Sequence, residues 1–170
     1  MLKPQDVYAL VGLQLLMRRT AAVTLPQIAG FLRLSTSEVH AAIARLQASQ
    51  LVMAASPELR RPSAANFMEF AEHGLRYVFP PEYGPPTRGL PTGAGAIPGL
   101  AKTAQPLVWP LESADGFGPA LAPLYRSVPV AAALDPDLHL AMAALDCLRV
   151  GRSRERQAGM AVLRELFGAP

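Results

Sequence analysis

The chain has 170 residues, 51% of them hydrophobic and 17% charged, with a net charge of +3. That is too apolar for a disordered chain, and long enough to bury a real core. A single cysteine, Cys147, excludes an internal disulfide and fits a reducing, cytoplasmic setting. Neither a signal peptide nor an uninterrupted apolar run of roughly 18 residues is read, so no membrane association is expected. The charge is unevenly placed: residues 1–66 carry +4 and the remainder −1. A basic N-terminal part suits a polyanionic partner such as DNA.

In chain order, the spacing predicts a helix over 4–19, with Pro4 in its first turn and a stripe of Val7, Leu10, Val11 and Leu15. Thr24 is the expected N-cap of a short second helix over 26–32, with Ile28, Ala29 and Leu32 turned inward. Ser35 and Glu38 form a capping box that opens a third helix, whose buried face holds Val39, Ile43 and Leu46. Leu51-Val52-Met53 reads as a strand, Ser56-Pro57-Glu58 as a turn, and Arg60-Arg61 as the return. Asn66 and Glu69 suggest a further capping box, opening a helix to about Val78.

Composition then changes. Ten of the 17 prolines and seven of the 13 glycines fall between Phe79 and Pro123. Such a stretch is expected to sustain neither helix nor long strands. Val108-Trp109 and Leu121–Tyr125 are apolar anchors that favour a packed, extended segment over a free tether. Helix returns at Asp135-Pro136, with Leu138, Met142 and Leu145 as its stripe. Gly151 breaks it, and a last helix runs to about Phe167.

The string from Leu25 to Val52, LPQIAGFLRLSTSEVHAAIARLQASQLV, resembles the helix-turn-helix of winged-helix transcriptional regulators, including the MarR-like group. The resemblance lies in the small Ala29 at the helix contact, the turn ending in Leu34-Ser35, and the hydroxyl residues that open the next helix. It covers about the first third of the chain; 79–123 is a segment that group does not carry. It implies a winged helix over 1–64 (three helices and a short β-wing); with the residue patterns beyond it, the chain is expected to be mainly α, with a connecting helix over 65–79, a proline-rich extended segment over 80–130, and C-terminal helices over 131–170. It also implies a regulator, expected to be a repressor, that binds a short palindrome of double-stranded DNA as a homodimer.

A recognition helix of this kind enters the major groove and reads base edges near its N-terminal end. The DNA-binding set is therefore Gln27, Ser35, Thr36, Ser37 and His40, with Arg45 for phosphate and Arg60 and Arg61 on the wing. The helix N-terminus itself favours phosphate through its free N–H groups. The alternative is a protein-interaction module, such as an antitoxin or complex subunit, that binds a partner through its C-terminal half. Apolar residues Leu138, Met142, Leu145, Leu163, Leu166 and Phe167 are the expected dimer or partner surface.

No catalytic residues, cofactor or metal ligands are expected. His40, His73 and His139 lie on separate helices without ligand spacing. The run Gly93–Gly99 lacks the spacing of a nucleotide loop. Cys147 reads as a small buried hydrophobe. Arg149, Arg152, Arg154 and Arg156 form a second basic cluster, read as a solvated face paired with Asp146 and Glu155, the alternative being a second phosphate or acidic-partner contact.

Overall fold

The structure, a computed structural model, describes residues 1–54, 60–100 and 106–168. It is mixed α/β rather than mainly α: among the described residues, eight α-helices accompany one two-stranded and one three-stranded sheet. No helix among those residues is long and apolar enough to cross a membrane.

Helix α1 (Pro4–Arg19) is the centre of the molecule. Every residue from Asp6 to Leu13 is buried, not only the expected stripe. The cause is that α1 is covered from two sides. Helices α2 (Leu25–Leu32) and α3 (Thr36–Ala48) pack on it, and so do α7 (Pro136–Val150) and α8 (Ser153–Phe167). A helix apolar all round is a buried helix.

Local signals set the next elements. Thr24 caps α2 reciprocally with Gln27. Arg33 then takes a left-handed conformation (φ 54°), and Leu34 N–H donates to the Ala29 carbonyl, turning the chain. Ser35 and Glu38 make the expected capping box of α3, at 3.2 and 2.8 Å. Val39, Ala42, Ile43 and Leu46 are its buried face. Strands β1 (Val52–Ala54) and β2 (Arg60–Pro62) follow as an antiparallel pair, with Met53 opposite Arg61 and Ala54 opposite Arg60. The turn expected at Ser56-Pro57-Glu58 lies outside the described residues.

Helix α4 (Ala64–His73) is capped by Ser63, not by Asn66 as its spacing to Glu69 suggested. The Asn66 amide instead donates to the Gln50 carbonyl at 2.8 Å, tying α4 to the end of α3. The helix expected to run on to Val78 is interrupted at Gly74, and α5 (Leu75–Val78) is a separate turn.

The proline-rich segment departs most from expectation. Strand β3 (Tyr83–Pro91) is nine residues long and pairs antiparallel with both β4 (Val108–Pro110) and β5 (Gly116–Leu121). A single parallel pairing of Val108 with Ala120 closes the three strands on themselves. Pro85 and Pro86 are accommodated where the register shifts between Gly84 and Pro86. Glycine permits the tight closure. A Cβ at Gly89 would lie 2.2 Å from the Trp109 carbonyl oxygen, and one at Gly118 would lie 2.0 Å from that of Pro106. Val108, Trp109, Leu121 and Leu124 are buried.

A polar staple holds this sheet to α7. Asp146, buried, accepts from the Trp109 indole and the Thr92 hydroxyl at 2.8 Å and from the Arg149 guanidinium at 2.7 Å. Arg149, equally buried, also donates to the carbonyls of Phe79 and Pro80. Arg149 of the expected solvated basic face, and its partner Asp146, are therefore internal. Burial also pushes the Cys147 thiol up to about 12, so it is not a thiolate at neutral pH.

Helix α6 (Val128–Ala132) leads into α7, which Asp135 caps as expected, and Gly151 ends it. Helix α8 packs back on α7 at Gly159, where a Cβ would stand 2.7 Å from the Ala144 carbonyl oxygen. The six apolar residues expected to form a dimer surface are all buried within one chain. They cover α1 and one another: Phe167, for example, stacks on Phe67 at 4.4 Å. Those side chains are therefore not left over to build an interface.

Candidate nucleic-acid interface

The open side of α3 is the candidate surface. Thr36, Ser37, His40 and Ala44 are exposed and Ala41 is half-buried, while Val39, Ala42, Ile43 and Leu46 hold the helix from behind. These positions recur every three to four residues, so they share one face. They offer two hydroxyls and an imidazole, each able to donate or accept a hydrogen bond, flanked by small side chains that let a partner approach.

The other expected contact residues are placed differently. Gln27 is exposed, but its side-chain oxygen is taken by Thr24 N–H at 2.8 Å. The Ser35 hydroxyl accepts from Glu38 N–H, so its first task is the helix cap. Arg45 is not a free phosphate ligand. Its Nε and Nη2 donate to the two oxygens of Asp6 at 2.8 and 2.6 Å. Asp6 is fully buried, and a buried carboxylate needs such a partner. Arg45 therefore joins α3 to α1, and the pairing with Asp6 raises its pKa further.

Arg60 and Arg61, expected to act alike, point to opposite faces of their strand. Arg61 is exposed beside Met53, whereas Arg60 is half-buried with its Nε enclosed and without a hydrogen-bond partner among the described residues.

The N-terminus of α3 carries its own anion. Glu38 accepts a short hydrogen bond from the Tyr125 hydroxyl as well as the bond from Ser35 N–H. The Tyr125 bond, with Ser35 adding, holds the Glu38 carboxyl down at about 2. The Glu38 carboxylate thus puts a negative charge at this helix end, which disfavours a phosphate there.

Tyr125 belongs to a short segment that docks on the α2–α3 turn. It stacks on Tyr8 at 6.3 Å, and the hydroxyls of Tyr8 and Ser127 both donate to the Leu32 carbonyl, at 2.9 and 2.8 Å. The same segment brings exposed Arg126 beside Glu38, and Arg33, also exposed, lies in the α2–α3 turn on which it docks. Sequence reasoning missed Arg33 and Arg126 as contributors to this surface. Nothing local to Arg126 marks it, because Tyr125 reaches Glu38 across 87 residues of sequence.

His139 bonds the Pro91 carbonyl at 2.6 Å and His73 lies 4.0 Å from Glu72, so the three histidines serve different surroundings. Among the described residues no three His, Cys, Asp or Glu side chains are grouped to hold a metal ion. No family model, curated protein or solved structure matches the chain.

Proposed function

We propose that the chain is a DNA-binding transcriptional regulator, a repressor, in which residues 1–64 work as a winged helix-turn-helix. In this reading α3 enters the major groove and the β1–β2 hairpin is the wing. The observation that carries it is the uncovered face of Thr36, Ser37, His40 and Ala44 on a helix otherwise fixed by its core. Hydroxyl and imidazole groups on such a face suit base edges. Phosphate contacts fall to Arg61 on the wing and to Arg33 and Arg126 beside the α2–α3 turn, not to Arg45. Two copies reading two half-sites remain the natural arrangement for such a regulator, through surface other than the six buried apolar residues.

Titration of the protein against duplex fragments of its own upstream region tests this reading. Binding is expected to weaken steeply as salt rises, because each neutralised phosphate releases counterions. Arg61→Ala should weaken all sequences alike. Ser37→Ala or His40→Ala should reduce discrimination by about 1–3 kcal/mol per lost base contact. Folded protein that shifts no duplex at low salt rejects the proposal.

One observation favours the alternative, a protein-binding module. Tyr77, Val78, Tyr83 and Phe117 are large exposed apolar side chains, all outside the N-terminal unit. If those residues carry the function, their replacement by Ser abolishes capture of a partner while changes on α3 are silent.

A further inference from the structure

The second basic cluster is divided by the structure. Arg149 is internal, and Arg154 points into solvent. Arg152 and Arg156, however, line a cavity of about 570 Å³ between α8 and the end of α4, and Arg76 and Arg164 line it too. Four guanidinium groups thus surround one concavity, against a single carboxylate, Glu72.

That carboxylate does not neutralise them. Of the four arginines, Arg164 alone approaches the Glu72 carboxylate, at 3.8 Å, and among the described residues Arg156 bonds only the Glu72 carbonyl, at 3.2 Å. The Nε of Arg156 is enclosed and has no hydrogen-bond partner among the described residues. Among the described residues neither Arg76 nor Arg152 makes an ion pair. Like charges gathered around one cavity repel one another, and a bound polyanion reverses that repulsion. Guanidinium forks match phosphate oxygens two at a time, so four of them exceed what one phosphoryl group can engage. The volume is that of a site for a small organic molecule, and Leu148 and Met160 give it an apolar floor.

We propose that this cavity binds a small solute carrying two or more phosphoryl groups. Arg76 and Arg152 supply the free forks, and Arg156 and Arg164 hold the inner edge. The site is separate from the open face of α3 and does not depend on what that face binds.

Calorimetry on the full chain, with inorganic tripolyphosphate as probe and inorganic phosphate as comparison, tests this. Tripolyphosphate is expected to bind once per chain, at least about tenfold more tightly than phosphate. Arg76→Ala and Arg152→Ala should each weaken it about tenfold, the loss of one charge-assisted pair. Ser153→Glu provides a variant that keeps the fold, since a carboxylate in the first turn of α8 suits the helix, and it should abolish binding. Arg61→Ala should leave binding unchanged. Unaltered affinity in the three cavity variants, an equal loss in Arg61→Ala, or equal affinity for phosphate and tripolyphosphate overturns the proposal. So does displacement of tripolyphosphate by duplex DNA whose own binding the cavity variants weaken, because the cavity then holds a nucleic-acid backbone instead of a small solute.

Discussion

Helices α1 and α3 touch, yet they live in different environments. Helix α1 is enclosed on every side from Asp6 to Leu13, and its polar side chains are committed: Asp6 to Arg45, Gln14 to the Leu166 carbonyl, and Arg19 to Asp135 and Asp137. Helix α3 buries one face and leaves the other open, with His40 uncovered. The first is a scaffold shared by both halves of the chain. The open face of the second is free to change without unfolding anything. Function and stability should therefore separate between the two helices, and Arg45 is where they are joined.

The largest effect is expected from cutting that join. Arg45→Ala leaves the Asp6 carboxylate buried without its cation, and removing one partner of a buried pair costs about 3–5 kcal/mol. A urea unfolding midpoint measures it. Adding Asp6→Leu should recover much of the loss, which a role for Arg45 confined to phosphate binding does not predict.

Next, Leu10→Ala in the middle of α1 should cost about 2–5 kcal/mol, the cost of a cavity in a packed core. His40→Ala, on α3, should stay within about 0.5 kcal/mol of the parent. Comparable losses at the two positions would mean that α3 is covered by something, a second copy for instance.

The smallest effect concerns the tip of α3 and depends on pH. Glu38 is held near 2 when folded, below its ordinary value of 4.5. A lowered carboxyl contributes stability that is complete above its unfolded value and is lost as pH falls toward the folded one. Because Glu38 is largely solvated, the contribution should stay under about 1 kcal/mol. Tyr125→Phe removes the main cause. The mutant should be less stable than the parent at about pH 7, and the gap should close between about pH 4.5 and about pH 2. A gap of constant size across that range would show that the Tyr125 ring, not its hydroxyl, holds the segment.

Features encoded within a few residues were legible in the sequence. Thr24 with Gln27, Ser35 with Glu38, and Asp135 before Pro136 fix helix starts because cap and partner are three residues apart. What failed was non-local. Arg45 looked like a surface cation until Asp6, 39 residues earlier, was placed beside it. Arg149 is three residues from Asp146, so the pair was readable, but its burial depends on carbonyls at Phe79 and Pro80. The prolines of β3 argued against a strand. The register shift at Pro86 and the close approach at Gly89 that reconcile them are properties of the assembled sheet. Of the candidate surface, the exposed positions of α3 followed from periodicity. The contribution of Arg126 did not, because it is delivered from beyond β5.

The cover over α1 also sets an order of events during synthesis. The Gln14 amide meets the Leu166 carbonyl across 152 residues of sequence. A ribosome adds about 5–20 residues per second, so the apolar run from Val7 to Leu13 emerges on the order of ten seconds before α8 exists to close over it. Through that interval the nascent chain presents a greasy helix to its surroundings. Such long-range closure slows folding and makes the growing chain a client for chaperones. Expression yield at high temperature is therefore expected to depend on how long the central helix waits for the last one.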